Sequence, residues 1–274
     1  MFRTGLSGPL AQRHDATLSG QGSTLMVLSH GLGTDQHVWS RIRPTLERHY
    51  QVLSYNLPGA GPWVPDDFDA ARYQDISAYA DDLLALLDEL GVAHCPIYVG
   101  HSVSGAVGLL AAAAQPQRFG QLCLINASAR YLNDADYQGG FTQADLDGLY
   151  AAIRGNYEAW VAGFSQIVID ASVPGAVDEF ARGFLAMRPD ITLSAARTIF
   201  QSDIRHVLPH VSHPVLLIHN ANDPAVPPQA AEFLRQGLVN SQLTWIPAAG
   251  HLPHVTSPEA VLAALQHVLG WASA

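Results

Sequence analysis

The strongest constraint on this chain is an alternation. Six short apolar runs, rich in Val, Ile and Leu, are separated by stretches with helical periodicity. Thr24–His30 (TLMVLSH), Gln51–Tyr55 (QVLSY), Ile97–Gly100 (IYVG), Leu122–Asn126 (LCLIN), Val215–His219 (VLLIH) and Gln242–Ile246 (QLTWI) read as strands. Asp75–Leu90 places Tyr79, Leu83, Leu86, Leu87 and Leu90 on one helical face. Pro258–Leu269 does the same with Val261, Leu262, Leu265 and Leu269. Strands alternating with helices predict an α/β fold, a mostly parallel central sheet with helices on both faces. At 274 residues the chain can build its core without covalent staples.

One gap breaks the alternation. From Ala127 to Val211, about 85 residues, no strand is evident. Four amphipathic helices take its place. The first carries Leu146, Leu149, Tyr150 and Ile153; the second Tyr157, Trp160, Val161, Phe164 and Val168. The third carries Val177, Phe180, Ala181, Phe184 and Leu185; the fourth Leu193, Ala196, Ile199 and Phe200. Asn156, Pro174 and Pro189-Asp190 punctuate them. The expected organisation is a core of residues 1–127 and 211–274 with a four-helix lid, 128–210, inserted between.

Gly100-His101-Ser102-Val103-Ser104-Gly105 follows one strand and opens an apolar helix. A serine on such a turn stands at the C-terminal edge of the sheet and at a helix N-terminus, where developing negative charge is favoured. The usual pattern ends in glycine; here Ser104 stands instead, and it is still small. A serine hydroxyl needs a base. Among thirteen histidines, His251, in Ala249-Gly250-His251-Leu252-Pro253 past the last strand, is the candidate. Asp223, in Asn222-Asp223-Pro224 past the Val215–His219 strand, is the carboxylate to orient it. All three lie at C-terminal strand ends, where open parallel sheets form their sites. The two oxyanion donors expected are the backbone N–H groups of Val103 and of Leu32, the latter in His30-Gly31-Leu32-Gly33.

Other functions fit poorly. Fourteen basic residues, all Arg, face 24 acidic ones, a net charge of −10, which argues against a nucleic-acid partner. The one basic cluster, Arg41, Arg43 and Arg48, reads as a solvated helix face. Cys95 and Cys123 form no Cys-x-x-Cys pair and read as buried apolar residues in a reducing compartment. No run approaches ~18 apolar residues, and the N-terminal stretch lacks the apolar segment of a secretory signal, so a cytoplasmic protein with no membrane association is expected. His251 and His254, and His206, His210 and His213, lack the helical spacing of metal ligands; no metal or cofactor is expected. Asn56-Leu57-Pro58-Gly59-Ala60-Gly61 lacks the glycine spacing of a dinucleotide loop and reads as structural.

Together these stretches resemble the small α/β-hydrolases that comprise the bacterial stress regulator RsbQ and the plant karrikin and strigolactone receptors. The matching segments run from about His30 to His254. They include His30-Gly31-x-Gly33-Thr34-Asp35-Gln36, Arg130-Tyr131-Leu132-Asn133-Asp134, Tyr137-Gln138-Gly139-Gly140-Phe141, Asn156-Tyr157-Glu158-Ala159-Trp160, Met187-Arg188-Pro189-Asp190-Ile191 and Phe200-Gln201-Ser202-Asp203, besides the serine and histidine motifs. The resemblance implies an α/β-hydrolase fold and a V-shaped lid over a deep apolar pocket. It also implies slow hydrolysis of a small lactone or ester, a butenolide in plants, and signalling through a protein partner at the lid. It implies the triad Ser102, Asp223 and His251, and a pocket lined by Phe141, Trp160, Phe164 and Phe200 with Tyr131 and Leu149 nearby.

Three departures bear on the ligand. Leu32 stands where the family usually has Phe, which should widen the pocket mouth. Asn56-Leu57-Pro58 replaces a stretch that usually begins with Asp, and Ser165–Asp170 differs from the family's run. The alternative to a hydrolase-receptor is a metabolic carboxylesterase or C–C bond hydrolase with no signalling role.

Overall fold

A computed structural model describes residues 6–61 and 68–271. The start of the N-terminal stretch read for a secretory signal, and the last three residues of the expected core, lie outside the described residues.

The central sheet has seven strands: β1 (Thr17–Ser19), β2 (Leu25–Ser29), β3 (Gln51–Tyr55), β4 (Cys95–His101), β5 (Phe119–Ile125), β6 (Val215–His219) and β7 (Ser241–Trp245). Their order is β1-β3-β2-β4-β5-β6-β7. Every pairing is parallel except that of β1 with β3. Strand side chains alternate between two cores, as the pleat requires. Val27, Leu53, Tyr98, Leu122, Leu124 and Leu217 face one. Met26, Leu28, Val52, Val99, Cys123, Ile125 and Ile218 face the other.

Helices close both faces. They are α1 (Pro9–Arg13), α2 (Arg43–Leu46), α3 (Ser77–Glu89), α4 (Val103–Ala114), α5 (Gln143–Gly155), α6 (Tyr157–Val168), α7 (Ala176–Leu185), α8 (Pro189–Gln201), α9 (Pro228–Gly237), α10 (Pro253–Thr256) and α11 (Pro258–Leu269). Leu83, Leu86 and Leu87 of α3, Val107 and Leu109 of α4 and Leu234 of α9 complete the first core. Val255, Val261 and Leu265 of α10 and α11 complete the second.

Helices α5 to α8 fall between β5 and β6, where the alternation lapses. Thr142 and Asp145 form a reciprocal capping box that starts α5, and Asn156 ends α5 while capping α6 through the Ala159 N–H. Pro189 occupies the first turn of α8, where its missing N–H costs nothing. The insertion divides between the cores: α5 and α8 bury Leu146, Ile153, Ala196 and Ile199 in the first, α6 and α7 bury Val161, Phe180 and Phe184 in the second. No helix among the described residues is long and apolar enough to cross a membrane.

The basic cluster is a correction at Arg43 and Arg41, while Arg48 is exposed as expected. Arg43 is nearly buried, pairs with Glu47 at 2.6 Å, and donates to Ser54, Thr17 and Ser19 hydroxyls. It fastens β1 to the sheet rather than facing solvent. Arg41 reaches across to Glu179 of α7 at 2.7 Å.

Candidate active site

Ser102 sits between the end of β4 and the start of α4 with φ 56° and ψ −124°, a backbone region that costs a non-glycine residue about 1–3 kcal/mol. The surroundings hold it there: its N–H donates to Ile125 O at 2.9 Å and its carbonyl accepts from the Gly105 N–H at 2.8 Å. The turn lifts the hydroxyl clear of the sheet. Ser102 Oγ donates to His251 Nε2 at 2.8 Å, and His251 Nδ1 donates to Asp223 Oδ2 at 2.8 Å and Oδ1 at 3.0 Å. Asp223 Oδ1 also accepts the N–H groups of Ala225 and Val226 at 2.8 and 3.3 Å. These donors fix the carboxylate, which fixes the imidazole tautomer with Nε2 free to accept a proton.

The backbone of His251 is tied on three sides. His101 Nε2 and Asn126 Nδ2 donate to its carbonyl at 2.8 and 3.1 Å, and its N–H donates to Val168 O, the last carbonyl of α6, at 2.7 Å. Gly250 makes this approach possible. Its φ is 79°, and a Cβ there would lie 2.7 Å from Asp170 N.

The loop after β2 is locked with equal care. The Leu57 N–H donates to His30 Nε2 at 2.9 Å, so the other ring nitrogen carries the proton and donates to Gly31 O at 2.8 Å. Thr34 Oγ1 donates to the same carbonyl at 2.9 Å. A planar trans peptide held by its oxygen has its N–H fixed on the opposite side, and here that N–H belongs to Leu32. Leu32 lines one cavity with Ser102 and His251, and Val103 opens α4 next to the serine. Burial holds His30 neutral, with its pKa down at about 4.

Ser104 does more than fill a glycine position. Its Oγ donates to His30 O at 2.5 Å and accepts from Ser29 Oγ at 2.8 Å, joining the elbow helix to the loop after β2. Removing that donor leaves a buried carbonyl short of a partner, at about 1–3 kcal/mol. Ser104→Ala should therefore lower the melting temperature by several °C and reduce kcat more than it raises KM. Thermal melts and steady-state kinetics check this; a variant matching wild type in both would remove Ser104 from the account.

This geometry has counterparts among known proteins. The sequence profile described as the alpha/beta hydrolase family matches residues 26–264. The chain is 45% identical over 260 residues to karrikin insensitive 2 receptor CA of Petunia hybrida, covering 94% of this chain and 96% of that one.

The chain belongs to the alpha/beta hydrolase family.

It is also 43% identical to strigolactone esterase D14 of Arabidopsis thaliana, over 91% of this chain and 94% of that one. Among solved structures, a hydrolase from Oleispira antarctica matches with a TM-score of 0.91 at 28% identity, over 96% of both chains.

In this alpha/beta hydrolase the serine lies in a small cavity of ≈ 30 Å³, with room for about one water. Leu32, Tyr131, Val168, Phe180, Phe184 and Phe200 are among its walls, with Phe164. Phenylalanine rings of α6, α7 and α8 (Phe164, Phe180, Phe184 and Phe200) line the same cavity as Leu32. The Tyr131 hydroxyl stands 3.3 Å from Ser102 Oγ, and burial keeps the phenol protonated by raising its pKa. Phe141, Leu149 and Trp160 are outside this wall. Phe141 packs edge-on against Phe200 at 5.1 Å, and Trp160 stacks on Phe164 at 5.1 Å, so both brace rings that do line it. Leu149 packs half-buried against the first core. Val168, Phe180, Phe184, Ile199 and Ala225 complete the wall. Their signal was the apolar i, i+4 spacing of Phe164 with Val168 and Phe180 with Phe184, which alone does not separate a cavity wall from helix packing.

Of the histidines considered as metal ligands, His213 Nε2 donates to Pro116 O, and the His251 and His254 rings both pack on His101; no group of three or more His, Cys, Asp or Glu among the described residues could hold a metal. The stretch after β3 is structural, with Asn56 Oδ1 accepting from the Gln36 N–H and Asn56 O from His14.

Proposed function

We propose that this hydrolase cleaves a small, neutral, apolar ester or lactone through an acyl-enzyme on Ser102. The observation that carries the reading is the unbroken chain from Asp223 through His251 to Ser102 Oγ inside an apolar cavity. Ser102 Oγ bonds to the substrate carbonyl carbon as its proton passes to His251 Nε2. The carbonyl oxygen takes the negative charge, held by the N–H groups of Leu32 and Val103. Collapse expels the alkoxide, which receives the proton from His251 and leaves as an alcohol, or stays tethered in the case of a lactone. Water then repeats the sequence and releases the acid.

Residues 128–210 serve as a lid on the core of 1–127 and 211–274, supported by the α6, α7 and α8 side chains in the cavity wall. Two buried, unpaired cysteines fit a reducing, cytoplasmic setting. The reading is tested with p-nitrophenyl acetate and a panel of small lactones, together with a fluorophosphonate label and intact mass. Turnover with one label on the Ser102 peptide supports it; an unlabelled Ser102 in folded protein overturns it.

A receptor role is favoured by one further observation. The His251 N–H rests on the last carbonyl of α6, so a lid displacement is felt at the triad. Relatives named as karrikin receptors support the same reading. Ligand would have to prefer one lid arrangement, since equal binding to both shifts nothing, and a protein partner would read the α6–α7 surface.

A further inference from the structure

A cavity of ≈ 30 Å³ cannot admit an ester as it stands, so the space for substrate must come from elsewhere. A second chamber of ≈ 200 Å³ lies directly behind the first. Their walls adjoin along the chain. Leu32, Val168, Phe184 and His251 face Ser102, while their chain neighbours Gly33, Ile169, Gly183 and Leu252 line the chamber. Phe180 alone belongs to both. It is buried, edge-on to Phe184 at 5.2 Å and 6.4 Å from Phe164.

Displacing α7 is a costly way to join the two spaces. A Cβ on Gly183 would stand 2.3 Å from Gly33 O, so the helix backbone lies directly on the loop that carries Leu32. Moving α7 would drag that loop with it. Turning the Phe180 ring to another staggered rotamer is local and leaves the loop in place. The chamber is mostly apolar, with Val38, Ala176 and Val255 joining Ile169 and Leu252; Thr34, Asp35 and Glu179 are its other polar walls, and it opens to water at exposed His37 and Arg182.

We propose that this chamber is a second substrate subsite, entered past Phe180, for an apolar arm of the ester whose carbonyl lies at Ser102. Its volume equals that of about seven waters and suits a hydrocarbon arm of about six to eight carbons. The inference rests on Ser102 being the nucleophile. Each methylene moved from water to an apolar wall is worth about fourfold in binding.

The test uses two series on the whole protein, p-nitrophenyl alkanoates for the acyl arm and alkyl acetates for the alcohol arm. In one of them kcat/KM should rise at least tenfold from four to eight carbons and fall again beyond about ten. Ala176→Leu and Val38→Phe, which fill the chamber from different elements, should each cut the ratio of eight-carbon to two-carbon turnover about tenfold with little change in melting temperature. Flat series in both arms overturn the subsite, as does a folded filling variant that keeps the wild-type ratio. If one variant fails to fold, the other and the wild-type series still decide. Acetate turnover and its loss in Ser102→Ala report the triad separately, so a failed subsite and a failed nucleophile are distinguishable.

Discussion

Ser102→Ala should lower turnover of p-nitrophenyl acetate by about 10⁴-fold or more while the protein stays folded. The hydroxyl makes two hydrogen bonds, to His251 Nε2 and to Tyr131, and neither holds the fold. The elbow is held by backbone contacts from Ile125 O and the Gly105 N–H, which alanine retains. The melting temperature should therefore move by only a few °C. His251→Ala should cost about as much as Ser102→Ala, and the double variant no more than either, because the residues act as one unit. Asp223→Asn should fall about as far for another reason: its amide can favour the tautomer with the proton on Nε2, which cannot accept from serine. Initial-rate assays with thermal melts check all four variants. Additive losses, or acetate turnover in folded Ser102→Ala near the wild-type rate, would break the assignment.

Much of this was legible in the sequence because its signals are local. Each buried parallel strand is a short Val, Ile and Leu run, and the helices between β5 and β6 carry clean apolar faces ended by Asn156 and Pro189. Strand β1 was not legible: Thr17–Ser19 is three half-buried residues at the sheet edge, with no run to read. Helix α9 hides behind paired prolines and buries mainly two alanines and Leu234. The serine, histidine and aspartate were legible because each stands past a strand end within three residues of a glycine or proline: Gly100 and Gly105, Gly250, and Pro224. Their supports were not. Ser104 acts on His30 across 74 positions, the Val168 carbonyl reaches the more distant His251, and the His30 ring takes its partner Leu57 from 27 positions on; spacing carries no trace of these. The pocket was half legible for the same reason: Tyr131, Phe164 and Phe200 line it, while Phe141, Leu149 and Trp160 do not. Trp160 and Phe164 share a helix face, and only packing against α7 decides which ring reaches the serine.

Acid should unfold this protein well before its carboxylates are all protonated. Four imidazoles around the site, His30, His101, His219 and His254, are buried. Burial is the leading cause that lowers each pKa, to about 4 for His30, to about 3 for His219 and His254, and well below the ordinary value for His101. Neither ring nitrogen of His219 or His254 has a hydrogen-bond partner, so nothing there offsets the lost hydration of a charged ring. In the unfolded chain the same rings protonate near pH ~6.5. Above that pH both states are neutral and the stability is complete. As pH falls below it the unfolded state gains protons the folded state refuses, and stability drops until the folded pKa is reached. His37 has the opposite sign, raised chiefly by its hydrogen bond to Asp35, but it is exposed and screened by water. At pH 5 the three rings His30, His219 and His254 would each cost about 2 kcal/mol, together about 6, against a total stability on the order of 5–15 kcal/mol, and His101 adds in the same direction. The melting temperature should thus be flat from pH 8 to 7 and fall steeply below pH 6. His219→Leu and His254→Phe should each reduce the steepness by about one proton. A melting temperature equal at pH 7.5 and pH 5, or two variants with the wild-type slope, would show that these rings are hydrated or already charged in the fold. The same experiment separates two causes of acid inactivation, because loss of turnover that tracks the melting curve reports unfolding, and loss that precedes it reports the triad.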